Sequence, residues 1–352
     1  MSGKGYILIM MLEFWQASLI AMFSVLFAIK ILRPIAININ LVDTPNDRKQ
    51  HEGNVPLIGG LCIYFGMFIA MYISRPFPDN LFYLLMTSSL ILVIGMLDDL
   101  KNLSIWLRIL VQIISCLVII ICTDICIVSF GSPFGANEIE LGQFAIPFTI
   151  FAVVGLVNAF NMSDGIDGLA GSLALVTVIG IILFGAVKEK ASILGFLLMF
   201  SAAILPYLYI NLVTSKKIFL GDAGSLLIGF ILAWILVFLS QGEPRSMVPT
   251  SVLWCVAVPV IDTFTVCLHR ICSGGSPLTA DRQHFHHLLL DTGYSSKKTL
   301  LIILVCAFCL LALGLLVQQV YPTASLSIFI LTTLAYIGWS FVKKNSSKHK
   351  NL

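Results

Sequence analysis

Asn158-Ala-Phe-Asn-Met-Ser-Asp-Gly-Ile-Asp-Gly-Leu-Ala-Gly171 lies between two long apolar runs, and its reading decides the rest of the chain. It carries Asn158, Asn161, Asp164 and Asp167, with glycines at 165, 168 and 171. Charged groups beside hydrocarbon are costly, so a chain that keeps two of them there uses them. Glycine lets the backbone turn and come close to a ligand. Two further carboxylate clusters, Asp98-Asp99 and Gly221-Asp222, occupy the same kind of junction. The organisation this suggests is a scaffold of apolar helices that brings the three junctions together.

The composition outside that stretch agrees. Hydrophobic residues make up 58% of the 352 and charged residues only 11%, against about 25% charged in soluble domains. The expected fold is an all-α polytopic membrane protein, one integral-membrane domain over 1–352 with a polar tail at 343–352. No stretch remains for a soluble domain of useful size. The nine cysteines fall mostly inside apolar runs, where they read as small packing residues.

A span needs about 20 apolar residues. Eleven are expected, at roughly 8–29, 57–74, 81–97, 105–123, 144–160, 168–187, 191–211, 224–240, 249–268, 299–318 and 323–342. The first resembles a signal peptide, but it lacks a clear small-residue cleavage site and is followed by Lys30 and Arg33, which favours an uncleaved span. Met10 and Met11 stand as alternative starts. Cytoplasmic loops collect Lys and Arg. With the N-terminus outside and the C-terminus inside, 16 of the 21 Lys and Arg lie inward. The same orientation puts the polar segments 43–56, 98–108, 158–167, 211–222 and 270–298 on the cytoplasmic face.

The junctions each carry two readings. Asp98-Asp99 closes the third run, where carboxylates oppose the helix dipole by up to about 1 kcal/mol. A solvated helix stop is one account, and the doubled charge argues for a bound cation. Asp164 and Asp167, three apart, would share a face if helical, or would cap the next helix. Asn158 and Asn161 add amides suited to a polar ligand. In Phe219-Leu-Gly-Asp-Ala-Gly-Ser225, Asp222 stands between glycines at a helix start, as a cap or a ligand. Five carboxylates on one face would repel one another, and a divalent cation relieves that. Oxygen ligands point to Mg²⁺, with Mn²⁺ as the alternative. Asp281-Arg-Gln-His-Phe-His-His287 suits zinc, a surface loop or contacts to phosphate, the last favoured beside a hard cation. Asp43-Thr-Pro-Asn-Asp-Arg-Lys-Gln-His51 reads alone as an ordinary loop. Asp262, after Pro259, is either a buried paired group or part of the site.

Together these motifs resemble the polyprenyl-phosphate N-acetylhexosamine-1-phosphate transferase family, from about Leu41 to Tyr294. The marks are Asp43-Thr-Pro45, Val55-Pro-Leu-Ile-Gly-Gly60, Leu97-Asp-Asp99, Asn158 to Gly168, Phe219 to Ser225 and Asp281 to His287. The resemblance implies transfer of a sugar 1-phosphate from a UDP-N-acetylhexosamine to undecaprenyl phosphate, releasing UMP, with Mg²⁺, in the bacterial cytoplasmic membrane. UDP-N-acetylglucosamine is the expected donor, and a cell-envelope glycan such as O-antigen the product served. The branch that takes a muramoyl-pentapeptide has a different loop before its histidines. Asp98, Asp99, Asp167, His284, His286 and His287 then match catalytic positions. His51, Asn158, Asn161, Asp164, Asn211, Phe219, Arg270 and Arg282 match substrate-binding ones, and Asp222 with Asp99 the metal site. Between Arg270 and Ser276 the chain reads Ile-Cys-Ser-Gly-Gly, without the further basic residues of close relatives. A homodimer is left open, and no nucleic-acid partner is expected.

The physics fits that reaction. Exchanging one phosphoanhydride for another needs charge neutralisation and alignment of two anions rather than an energy source. A secondary transporter is the rival class, but it would place its acids near the membrane midplane.

Overall fold

The computed structural model describes residues 3–44, 53–74, 77–135, 137–185, 191–242, 244–277 and 283–348. The helices are α1 (Gly3–Asn38), α2 (Gly59–Ile73), α3 (Asp79–Lys101), α4 (Ile105–Thr123), α5 (Ala145–Ser163), α6 (Leu169–Phe184) and α7 (Ala191–Val213). They continue with α8 (Gly221–Gln241), α9 (Ser251–Cys255), α10 (Ala257–Cys272), α11 (Phe285–Leu290), α12 (Ser296–Val320) and α13 (Ser325–Lys348). All eleven expected runs contain helix. Among the described residues, eight helices are long and apolar enough to cross a membrane: α1, α3, α4, α5, α7, α8, α12 and α13. The chain is a multi-pass membrane protein. Helices α2 and α6 are shorter, at 15 and 16 residues. At its start α1 runs beyond the expected 8–29, and at its end α13 runs on to Lys348, into the expected tail.

The ninth run is broken. Pro259, in the first turn of α10, has no N–H for the carbonyl of Cys255. Thr177 on α6 donates its hydroxyl to that carbonyl instead, at 3.0 Å. Asp262 therefore lies within the short helix that follows the break. Cys306 and Cys309 have the Cys-x-x-Cys spacing, but they sit midway along apolar α12 as free thiols.

Helix α8 is the axis of the bundle. It is apolar on every side, and such a helix is stable only when surrounded. It packs against α2, α3, α5 and α6, with Phe230, Trp234 and Phe238 fully buried. Its N-terminus is crossed by α2 at a glycine contact. A Cβ on Gly60 would lie 2.3 Å from the Cα of Gly224, so both positions exclude a side chain. The strand pair β1 (Val42–Asp43) and β2 (Val55–Pro56) abuts the same place. The N–H of Gly59 donates to the carbonyl of Phe219 at 2.9 Å, and that of Phe219 to Pro56 at 2.9 Å. One mouth of the bundle thus collects the ends of α3, α5 and α7 with the starts of α2, α4, α6 and α8.

Candidate active site

At this mouth the three carboxylate junctions meet. Asp98 accepts from the N–H of Leu103 at 2.6 Å and from Arg108, one turn into α4. Arg108 also reaches Asp222 at 3.2 Å, so it bridges acids that lie on α3 and α8. Asp99 turns the other way. Its carboxylate accepts the backbone N–H groups of Asp222 at 2.9 Å and Ala223 at 3.2 Å, and so caps α8. The dipole cost of a doubled acid at the end of α3 is offset within the protein, by Arg108 on one acid and the start of α8 on the other. The capping carboxylate of α8 is Asp99, and Asp222 is left half-exposed with its side chain turned to α4 and α5.

Asn161 Nδ2 donates to Asp222 Oδ1 at 2.8 Å and to Ser225 Oγ at 2.9 Å. One turn deeper, Asn158 Nδ2 donates to Gln112 Oε1 at 2.8 Å. Asp164 and Asp167 are not on a helix. Helix α5 stops at Ser163 and α6 starts at Leu169, and the glycine-rich turn between them carries both acids. Asp167 pairs with Lys217. Asp164 is pushed up to about 8, first by desolvation and then by the charges of Asp222, Asp99 and Asp167. Its backbone N–H donates to the carbonyl of Asn161 at 3.2 Å, the residue whose amide holds Asp222.

The histidine segment closes over the same turn. A Cβ on Gly165 would meet His286 Nε2 at 2.0 Å, so the missing side chain makes room for the imidazole. His287 lies 4.2 Å from His286, ring to ring. His284 is buried, and its Nδ1 is 2.9 Å from Asp262 Oδ2. Among the described residues, no three His, Cys, Asp or Glu groups form a closed metal cage, zinc at the histidines included.

Other expected residues do structural tasks in this arrangement. Asn211 donates to the carbonyl of Ile218 at 2.9 Å and pins the α7–α8 connection. Phe219 carries the backbone bonds to Pro56 and Gly59. Arg270 is buried and donates to the carbonyl of Pro277. His51 and Arg282 lie outside the described residues. Sequence reasoning missed Arg108, Gln112 and Lys217 as site residues, counting the two cations only for membrane orientation. Their signal was a charged or amide group inside or beside an apolar run, 9 and 13 residues after Asp99 and 5 before Asp222.

Comparison with known proteins identifies the family. Residues 81–240 match Glycosyl transferase family 4. The chain is 35% identical over 321 residues to the undecaprenyl-phosphate alpha-N-acetylglucosaminyl 1-phosphate transferase of Escherichia coli (strain K12), covering 90% of this chain and 87% of that one. The protein of the same description from Yersinia pestis is 35% identical over 325 residues, covering 90% and 88%. That of Haemophilus influenzae is 36% identical over 298 residues, covering 83% of each. A likeness of that depth runs through the helices that build the acidic mouth, and by it the chain belongs to glycosyl transferase family 4, together with these undecaprenyl-phosphate alpha-N-acetylglucosaminyl 1-phosphate transferases.

Proposed function

We propose that this protein transfers N-acetylglucosamine 1-phosphate from UDP-N-acetylglucosamine to undecaprenyl phosphate, giving undecaprenyl-diphospho-N-acetylglucosamine and UMP. The observation that carries the reading is the gathering of Asp98, Asp99, Asp164 and Asp222, with Arg108 and Lys217, at helix ends. Acids at such a mouth meet a water-soluble nucleotide and a lipid phosphate together. A transporter would hold them deeper. The matched names of the relatives give the donor sugar and the acceptor.

A lipid phosphate oxygen attacks the phosphorus that bears the sugar. A P–O bond forms there, and the bond to the uridylate oxygen breaks, so that UMP leaves. Arg108 and Lys217 supply positive charge near these anions, and His286 and His287 face the same turn. Asp98 holds the N–H of Leu103 with one oxygen and Arg108 with the other. The donor set is oxygen-rich and fits a hard cation, Mg²⁺ or Mn²⁺. Asp222 with Asp99 would hold it, since a carboxylate oxygen that accepts one hydrogen bond keeps a further lone pair. When bound, it supplies neutralisation of diphosphate charge.

The test is UMP release by purified protein from UDP-N-acetylglucosamine, with and without undecaprenyl phosphate and Mg²⁺. Lipid-dependent and Mg²⁺-dependent release is expected, lost in Asp222→Asn. Another UDP-N-acetylhexosamine used at least tenfold faster would overturn the sugar, and absence of UMP from any of them would overturn the reaction. The same reading takes the membrane to be the bacterial cytoplasmic one, and the 16 of 21 Lys and Arg that then lie inward support an outside N-terminus and a cytoplasmic mouth.

A further inference from the structure

Asp262 on α10 is buried and accepts three hydrogen bonds. The backbone N–H of Phe285, at 2.8 Å, and the hydroxyl of Tyr336 on α13, at 3.0 Å, both donate to Oδ1. Among the described residues, Oδ2 serves His284 alone, at 2.9 Å from Nδ1. A carboxylate oxygen can only accept, so the proton of a neutral His284 ring sits on Nδ1. Nε2 is then the ring nitrogen left for a ligand. The last helix reinforces this. The ring of Phe285 is flanked by Tyr336 and Trp339, edge-on at 5.6 and 5.9 Å, so α13 holds the start of the histidine segment in place. His284 and His286 lie with parallel rings 6.0 Å apart, and His286 covers Gly165 of the acidic turn.

We propose that Asp262 and Tyr336 are positioning residues that fix the tautomer and plane of His284, so that its Nε2 is offered as an acceptor to the remaining P–OH proton of the singly ionised lipid phosphate. This deepens the reading under Proposed function and rests on it for the identity of those phosphates. It also makes α13, which lies outside the matched family segment 81–240, part of the site's support.

Asp262→Asn separates this role from simple packing. The variant is nearly isosteric. Its single oxygen must serve Phe285 and Tyr336, which turns the amide NH₂ toward His284 and forces the ring proton onto Nε2. The same logic governs an Asp-to-Asn change in a catalytic triad. Nitrogen NMR of the full chain in lipid, labelled at histidine, reads the tautomer at a pH where the ring is neutral. The His284 signals are assigned by their loss in His284→Gln. Wild type should show the proton on Nδ1 and Asp262→Asn on Nε2. Turnover should fall on the order of 100-fold in Asp262→Asn, mainly in kcat. The double variant Asp262→Asn/His284→Gln should be no slower than His284→Gln, since a residue acting through His284 has nothing left to position. Tyr336→Phe should give a smaller loss that likewise vanishes in the His284→Gln background, and it serves if Asp262→Asn does not fold. An Nε2 proton in wild type, an unchanged tautomer in Asp262→Asn, or additive losses in both double variants overturn the proposal. If wild type releases no UMP from any donor, the assigned reaction fails, and the nitrogen spectra still decide the Asp262–His284 relation.

Discussion

Asp99 on α3 accepts the backbone N–H of Asp222 on α8 at 2.9 Å, and this joins the end of one carboxylate motif to the start of another. The bond makes Asp99 a helix cap before it is anything else. Asp99→Ala should destabilise the protein by about 1–2 kcal/mol, the usual cost of a lost cap. The loss should appear in thermal unfolding in detergent both with Mg²⁺ and with a chelator. A loss confined to Mg²⁺-containing buffer would instead make Asp99 a metal ligand without a capping role.

Arg108 bridges Asp98 and Asp222. Arg108→Met keeps much of the side chain's bulk and removes the charge, leaving neighbouring acids to repel. Turnover should fall at least about 100-fold, the scale of a lost electrostatic stabiliser. Arg108→Lys should recover part of this, because Nη1 alone makes both contacts and an ammonium at the same place could make them too, on a differently shaped side chain. Equal activity in wild type and Arg108→Met would remove the bridge from the mechanism.

Asp164 lies in the turn after α5 and is pushed up from its ordinary 3.8 to about 8. The folded protein binds this proton more tightly than the unfolded chain does. The stabilisation is therefore complete below about 4 and disappears as pH rises towards about 8. In a chelator, the melting temperature should fall across that window, and Asp164→Asn should flatten the fall. Mg²⁺ should flatten it too. An identical pH slope in Asp164→Asn and wild type would show that the carboxyl is not crowded by its neighbours.

Gly60 and Gly155 make a matched pair. A Cβ on Gly60 would lie 2.3 Å from the Cα of Gly224, whereas one on Gly155 would meet nothing within 4 Å. Gly60→Ala should cost about 1–3 kcal/mol through overpacking, and activity should fall with it because α8 carries Asp222. Gly155→Ala should be neutral or slightly stabilising in the same melting assay. Equal stability of the two variants would deny the tight α2–α8 crossing.

Orientation has a direct check. With 16 of 21 Lys and Arg inward, the C-terminus is expected inside. A cysteine replacing Ser346 should resist a membrane-impermeant thiol reagent added to intact cells and react after lysis, in a background lacking the exposed native thiols. Labelling in intact cells would reverse the assignment.

The sequence by itself determined the class and the motifs. Eleven apolar runs, their polar junctions and the glycines beside the acids are local patterns, and hydrocarbon tolerates no others. It also placed the acids of residues 98, 99, 164, 167 and 222 in one functional set. The tertiary structure decided which partner each acid has. Arg108 and Asp222 are 114 positions apart, and Tyr336 and Asp262 are 74 apart. Periodicity could not supply these pairings. In a soluble helix, the polar and apolar stripes say which face is buried. In a membrane helix, lipid and core are equally apolar, so that signal is lost. Helix α12 is more apolar than α8, yet α12 is mostly uncovered and α8 is wholly enclosed. The capping of α8 by Asp99, the bridge at Arg108 and the hold of Asp262 on His284 all follow from which helix faces meet. Packing of small residues such as Gly60 against Gly224 settles that in three dimensions.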